Sequence, residues 1–326
     1  MKALALLSGG LDSTLAVRLL QAEGLHIVAV NFRSPFCLCG KGGDDASKAA
    51  KQLKIPLKII DVGEDYLKML RKPKHGYGKN INPCIDCRIF TFKKAKEYAG
   101  EIGASFIVTG EVLDERPMSQ HLKALEVIER EAELARKVLR PLSARLLQIT
   151  EAEERGWVSR ERLLDIRGRS RKRQIALAEK LGVNDYPWPA GGCLLTYKEF
   201  AAKLRDLFEH KKRVALKDID LLKIGRHFRI GKNKIVVGRN KTENEQLQRM
   251  RGRNDYLFEV PDWGSPITLL QGPKTEEALR KAAALTLRYS DNKKETATVR
   301  FGGKKMDRPI TLSALKDQEI ENLRIK

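Results

Sequence analysis

Two stretches of the chain carry residue types that chemistry needs. The first is Ser8-Gly9-Gly10-Leu11-Asp12-Ser13, set between the apolar "LALL" and the helical run "LAVRLLQAEG". A glycine pair permits backbone dihedrals that other residues resist, so several N–H groups can point at one spot. Ser8 and Ser13 add hydroxyl donors, and the following helix aims its positive end at the same place. The turn reads as an anion cradle suited to phosphate; in its plainest form it is a Gly-Gly turn with Asp12 as a helix cap. No Gly-Lys-Ser/Thr ending follows, and no third glycine stands where a dinucleotide fingerprint needs one, which argues against both of those nucleotide loops.

The second stretch is Asn82-Pro83-Cys84-Ile85-Asp86-Cys87, whose two-residue gap lets two thiolates reach one metal or cluster. A helix follows directly, and its positive end is expected to lower the thiol pKa values. Far downstream, Gly191-Gly192-Cys193 adds a third thiol with small neighbours that leave room for a bulky inorganic group. Three readings stay open. Cys84, Cys87 and Cys193 can ligate a 4Fe-4S cluster whose fourth iron is open to sulfide or another substrate. They can hold a structural zinc, with Cys37 or Cys39 as fourth ligand. They can also work as a persulfide carrier and resolving thiol without metal, which needs only two cysteines within bonding reach. Cys37 and Cys39, in "SPFCLCG", read as half-buried structural thiols on the same sheet edge as the cradle.

The elements that must position these groups follow from the apolar pattern. "ALALL", "HIVAVNF", "LKIIDV" and "SFIVTG" alternate with helical segments up to about residue 150. Strands separated by helices imply parallel βαβ units, in which ligands gather at the C-terminal strand edges. The expected fold class is α/β, a doubly wound parallel sheet, then a helical connecting segment, then a smaller α+β domain. The boundaries are 1–150, 151–212 with the third cysteine, and 213–326. In the middle segment "DIRGRSRKRQIALAEKLG" reads as a helix through Arg167, Arg169, Arg171, Lys172 and Arg173, either solvated or touching a phosphate backbone. The last part shows short strands, "HFRI", "KIVVG" and "YLFEV", and the helix "TEEALRKAAALTLRYS".

Composition narrows the partners. A net charge of +21, from 63 basic and 42 acidic residues, points to a polyanion, with nucleic acid leading. No apolar run of about eighteen residues and no signal-peptide pattern is present, so a cytoplasmic, non-membrane protein is expected. Five cysteines in a reducing compartment do not form a disulfide framework.

The cradle resembles the PP-loop of the ATP pyrophosphatases, which split ATP between its α and β phosphates and move AMP onto a substrate. That likeness implies ATP and Mg²⁺ as cofactors, with Asp12 holding magnesium or orienting the triphosphate. Residues 214 to 305 resemble the RNA-binding module of NFACT-type proteins, through Gly238-Arg239-Asn240, Asn244 and the helix running into Tyr289-Ser290. The family's usual His-Val-Arg-type segment is "YLFEVPDWG" here. The ordered set of PP-loop, Asn-Pro-Cys-x-x-Cys, a strand ending in "VTGEV" and a later Gly-Gly-Cys is similar to the tRNA thiouridylase group (MnmA- and ThiI-like) over residues 1 to 200.

That resemblance implies a tRNA sulfurtransferase. Adenylation of a uracil carbonyl oxygen precedes its displacement by sulfur, drawn from inorganic sulfide or a sulfur-carrier protein. Ser8, Gly9, Gly10, Asp12 and Ser13 bind the triphosphate; Thr109 and Gly110 lie beside the nucleotide; Cys84, Cys87 and Cys193 handle sulfur. The group's usual His after Gly110 is Glu111 here, so Arg116, Ser119 and Gln120 are candidates for substrate or phosphate contacts, with Ser119 alternatively a helix cap. Arg116, Arg169, Arg171, Lys172, Arg173, Arg239 and Asn240 are the expected RNA contacts. Neither the THUMP module nor the C-terminal barrel of the thiouridylases is found in this sequence, which leaves the tRNA and the modified position open. A PP-loop ligase acting on another base or a small molecule, with structural zinc, is the alternative.

Overall fold

A computed structural model describes residues 1–37, 45–187 and 192–326. The chain divides into two compact units, Met1–Thr196 and Tyr197–Lys326. In the first, β1 (Lys2–Leu6), α1 (Leu11–Gln21), β2 (His26–Arg33), α2 (Asp45–Leu53), β3 (Leu57–Asp61), α3 (Glu64–Arg71), α4 (Cys84–Ile102), β4 (Phe106–Thr109), α5 (Leu122–Glu131), β5 (Val138–Leu139), α6 (Glu151–Glu154) and α7 (Lys172–Leu181) follow in order. The five strands are parallel in the order β3-β2-β1-β4-β5.

β1 is apolar on both faces because both are covered, as parallel sheets require. Ala3 and Ala5 face Val17, Leu20, Ala49 and Ala50, from α1 and α2. Leu4 faces Ile89, Phe92 and Ala95 of α4 and Ile128 of α5. Each fully buried Leu or Phe contributes about 1.5–3 kcal/mol, enough to fix the two helical layers. The chain winds outward from β1 in both directions, so the connections after β1 and β4 leave on opposite sides. That topological switch opens a crevice at the C-terminal ends of these strands, where Leu6 pairs with Thr109.

Residues 151–196 lie in this first unit. Ala152, Val158 and Leu163 join the core under β1, and Ala178 and Val183 pack with Leu11, Leu15 and Val112. Contrary to the sequence expectation, the basic run is not one helix. Gly168 adopts a left-handed φ of +88° and donates to Leu113 O at 2.8 Å, so α7 begins only at Lys172.

The second unit contains α8 (Lys198–His210), α9 (Leu216–Leu222), β6 (Arg226–Ile230), β7 (Asn233–Val237), α10 (Lys241–Met250), β8 (Tyr256–Glu259), β9 (Thr268–Gln271), α11 (Glu276–Arg288), β10 (Thr296–Gly302), β11 (Arg308–Ser313) and α12 (Asp317–Leu323). Its antiparallel sheet has the order β11-β10-β8-β9-β7-β6. The alanine face of α11 (Ala278, Ala282, Ala283) lies on Phe228, Ile235, Phe258 and Leu270, while Leu221 of α9 and Leu247 of α10 cover Val236 and Leu269 on the other side. The hairpin β10–β11 and strand β9 lie outside the strands read from the sequence. Among the described residues no helix is long and apolar enough to cross a membrane.

Candidate active site

The cradle sits where β1 meets α1. Gly9 has a φ of +83°, and a Cβ there would lie 2.3 Å from the backbone of Asp45. Gly110, just after β4, is equally constrained: a Cβ would lie 2.4 Å from Asp12 C and Ser13 N. Glycine at both places lets β4 and α2 close on the first turn of α1. Ser13 Oγ lies 3.0 Å from Ser8 Oγ and donates to Gly10 O at 3.0 Å, while the Ser8 and Gly10 N–H groups point to these hydroxyls at 3.3 Å. Gly10, not Asp12, is the residue preceding the helix.

Asp12 is the under-satisfied member. Its Oδ1 is buried without a hydrogen-bond partner among the described residues, and its Oδ2 lies 3.6 Å from Arg171 Nη2. The buried Gln174 amide acts on the same carboxyl and helps to lower its pKa. Burial, and then Glu115, push the Asp12 pKa up to about 6 against the opposing pull of Arg171 and Arg116. An orphaned carboxylate oxygen beside a phosphate cradle suits a hard dication such as Mg²⁺.

The sulfur groups lie at the start of α4. Cys84 is its first residue, and Cys87 N–H donates to Pro83 O at 2.8 Å. Asp86 fastens the preceding loop by accepting from Lys74 N (2.8 Å) and His75 N (3.0 Å). The buried Tyr66 hydroxyl donates to Cys87 Sγ at 3.2 Å. Cys193 is drawn in by its own segment: Ile81 N–H donates to Leu195 O at 3.3 Å and Asn80 Nδ2 to Thr196 O at 2.7 Å. Cys193 also forms an isolated antiparallel bridge with Cys37. Burial holds the Tyr66 hydroxyl well above its ordinary pKa, with Cys87, Cys193 and Cys84 all adding to the effect.

The helix N-terminus does not lower the thiols as expected. Burial pushes Cys84 and Cys87 up, and this outweighs the neighbouring Arg88 and Arg116. The sulfur donors suit a cluster, yet among the described residues no three His, Cys, Asp or Glu side chains are grouped as a metal ion requires. Cys39 lies outside the described residues.

Sequence reading missed a buried ion network. Glu111 receives Arg88 Nε on one oxygen at 2.7 Å and Arg140 Nε on the other at 3.1 Å, and Arg140 also pairs with Glu129. Burial pushes the Glu111 carboxyl up, but the two guanidiniums outweigh it and hold the group below the usual range. Arg88 lies 3.4 Å from Thr109 Oγ1 and 5.3 Å over the Phe92 ring. Glu111 therefore fixes an arginine between the nucleotide strand end and the cysteine helix. Spacing gave no signal for this set, since its members are 23 and 29 residues apart.

The remaining candidates separate. Arg116 is exposed and has no carboxylate partner among the described residues; its backbone is held by Gln120, whose Oε1 accepts from Arg116 N at 3.0 Å. Ser119 is buried and does not cap α5; His121 does, accepting from Ala124 N at 3.2 Å. Arg171 turns into the crevice, bonding Glu115 at 3.1 Å and facing Asp12. Arg173 bonds Asp165 O at 3.1 Å and its carboxylate at 2.5 Å, while Arg169 and Lys172 are exposed. In the second unit Arg239 pairs with Glu243, and Asn240 caps α10 by accepting from Glu243 N at 3.0 Å.

A parallel sheet with this glycine-serine cradle at its switch point defines a PP-loop nucleotide-binding fold. Residues 1–146 match the family model of the thiamine biosynthesis protein (ThiI), and residues 225–324 match the NFACT protein RNA-binding domain. The chain thus carries, in order, a segment similar to ThiI and a segment similar to the NFACT RNA-binding domain. The tRNA-specific 2-thiouridylase MnmA of Syntrophotalea carbinolica is 35% identical over 120 residues, 33% of this chain and 33% of that one. MnmA of Petrotoga mobilis is 29% identical over 130 residues, covering 34% and 35%. The chain spans about a third of the length of these relatives. Among solved structures it is similar to a 4-thiouridine synthetase in complex with RNA and bound ATP (TM-score 0.43, 23% identity, 68% of this chain and 52% of that chain). It is also similar to the U34-tRNA thiolase NcsA of Methanococcus maripaludis with its [4Fe-4S] cluster (TM-score 0.39, 18% identity, 68% and 70%).

Proposed function

We propose that this chain is an ATP-dependent tRNA sulfurtransferase that adenylates a uridine carbonyl oxygen and replaces it with sulfur. The observation that carries this reading is the meeting of the two chemical groups in one unit: Arg88 of the cysteine helix lies 3.4 Å from Thr109 Oγ1 at the nucleotide strand end, beside the cradle and the orphaned Asp12 Oδ1. A carbonyl oxygen leaves poorly until it becomes a phosphate ester, so adenylating and sulfur-bearing groups must address one base. Arg116, exposed and without a carboxylate partner among the described residues, suits the phosphate of that ester. The matches to PP-loop thiouridylases support the same reaction.

In this reading Ser8, Gly9, Gly10 and Ser13 hold the departing pyrophosphate, and Thr109 and Gly110 shape the nucleotide side. Asp12 holds Mg²⁺, which neutralises the triphosphate when bound. Cys84, Cys87 and Cys193 would hold a 4Fe-4S cluster, which would supply a binding site for incoming sulfur. The sulfur comes from sulfide or a carrier protein, and the work on tRNA belongs in the cytoplasm. The C-terminal unit grips tRNA, with Arg169 and Lys172 on the first unit adding phosphate contacts. Arg171 serves the nucleotide crevice instead.

One observation favours a persulfide relay without metal: the backbones of Cys37 and Cys193 stand opposed, which suits two thiols within bonding reach. Iron and acid-labile sulfide in anaerobically purified protein separate the two. About four of each per chain supports the cluster, and neither, with sulfur transfer intact, supports the relay. The reaction itself is tested by comparing thionucleosides in bulk tRNA from cells with and without the gene. Loss of one thiolated uridine is expected, and an unchanged profile overturns the assignment.

A further inference from the structure

Cys37 and Cys193, far apart in sequence, are opposed in an isolated antiparallel bridge. The flanking residues carry its hydrogen bond, Leu194 N–H donating to Phe36 O at 2.9 Å. The cysteines therefore occupy a non-hydrogen-bonded pair. At such a pair the Cα atoms approach to about 4.5 Å and both side chains leave the same face. A disulfide spans Cα separations of about 4.4–6.8 Å, so the separation typical of such a pair falls in the range an S–S bond needs.

Both arms of this bridge are anchored. Phe36 is fully buried, its ring 6.0 Å from that of Tyr66, and Leu195 is fully buried on the other arm. Thr196 Oγ1 donates to Cys193 O at 2.7 Å. The two cysteines differ in access, since Cys37 is exposed and Cys193 half-buried. An oxidant in solvent meets Cys37 first.

We propose that Cys37 and Cys193 form a reversible disulfide that withdraws Cys193 from the sulfur site under oxidising conditions. The withdrawal rests on the sulfur-handling role given to Cys193; the bond itself does not. The oxidant is a small-molecule disulfide. Cys37 thiolate attacks one of its sulfurs, expelling one thiolate and leaving a mixed disulfide. Cys193 thiolate then attacks the Cys37 sulfur, breaks the mixed disulfide and expels the second thiolate. The two cysteine protons end on the two small thiols, and the oxidant gains the two electrons that the cysteines lose.

The test uses the full chain, reduced, desalted, equilibrated with oxidised glutathione and alkylated. Unreduced tryptic peptides are then read by mass spectrometry. The expected product links residues 34–41 to residues 181–198, with a loss of two alkylatable thiols per chain that a dithiol restores. Because Cys37 and Cys39 share the first peptide, Cys37→Ser must abolish the link and Cys39→Ser must keep it. In Cys193→Ser, Cys37 stops at the mixed disulfide. A link from Cys193 to Cys84 or Cys87, a link that survives Cys37→Ser, or glutathione retained on Cys37 of the unsubstituted chain overturns the proposal. Peptide mass reads the bond whether or not tRNA is thiolated, so its failure is distinct from failure of the enzymatic reading. Sulfur transfer lost on linking and regained on reduction supports the withdrawal; transfer unchanged in fully linked protein contradicts it.

Discussion

In the crevice unit the buried Glu111 has both oxygens held by arginines, while among the described residues Asp12 Oδ1 has no hydrogen-bond partner and Arg116 no carboxylate, and both belong to the site proposed above. In the C-terminal unit the pattern is reversed. Arg239 and Asn240, the residues that read as ligand contacts, are satisfied by Glu243, whereas Lys203 and Lys234 are pushed down to about 8 by burial. In the first unit the paired groups read as scaffold, and the incompletely paired ones coincide with the proposed site. In the second unit Lys203, which donates to Leu222 O at 3.3 Å, and Lys234 are shifted by burial, at a cost to stability.

Breaking the Glu111 network is the largest test of this contrast. Glu111→Ala leaves two guanidiniums without their shared partner and is expected to cost about 3–5 kcal/mol, read by urea unfolding. Glu111→Gln keeps the shape and loses less. A cost for the alanine variant within the error of unfolding would mean that the network is not scaffold.

Asp12→Asn probes the opposite case. Turnover to AMP is expected to fall roughly 10²–10³-fold, while the metal-free protein becomes more stable at neutral pH. The folded pKa, about 6, lies above the ordinary 3.8, so ionising Asp12 costs stability progressively as pH rises from 3.8 through 6, and the cost persists above that. Asparagine escapes this cost, a gain on the order of 1–3 kcal/mol at pH 7. Unfolding with a chelator present at pH 4 and pH 7 measures it, and equal stability of the two proteins at pH 7 would remove Asp12 from the under-paired set.

Lys234→Met is the counterpart in the second unit. The folded pKa, about 8, lies below the ordinary 10.5, so the native chain gains stability as pH rises from about 8 to 10.5 and the variant does not. At pH 7 the variant is expected to be more stable by about 1–3 kcal/mol, measured by denaturant midpoint at constant slope. Smaller effects sharpen the RNA side. Arg169→Gln and Lys172→Gln should each reduce the log–log salt slope of tRNA binding by about 0.7–0.9. Arg173→Gln should change it less, because Asp165 already holds that guanidinium. Equal slopes for all three would take both exposed cations off the RNA path.

The cradle and the cysteine pair were legible in sequence because each is a local pattern of residue type and spacing. The alternation of strands and helices gave the parallel sheet for the same reason, and with it the switch point that brings Gly110 to Asp12. The Glu111 network was not legible, because only the sheet brings Arg88 and Arg140 to one carboxylate. Charge in a run says nothing about partners, which is why Arg171 read as an RNA contact although it faces Glu115 and Asp12. Gly168 carried the signal that the basic run breaks, since a left-handed residue ends a helix. The opposition of Cys37 and Cys193 depends on backbone register alone, which no spacing between them encodes.

The central claim is that the phosphate end and the sulfur end act on one base. It is tested most directly by a single-turnover reaction of the purified full chain with ATP, Mg²⁺, a sulfur source and unmodified tRNA, scoring AMP, pyrophosphate and thiouridine together. The account predicts that the three appear in equal amounts, and that Arg116→Gln lowers all three in step without abolishing tRNA binding. ADP and phosphate as the main products, or AMP formed on tRNA in which no thiouridine appears with sulfur supplied, would contradict it.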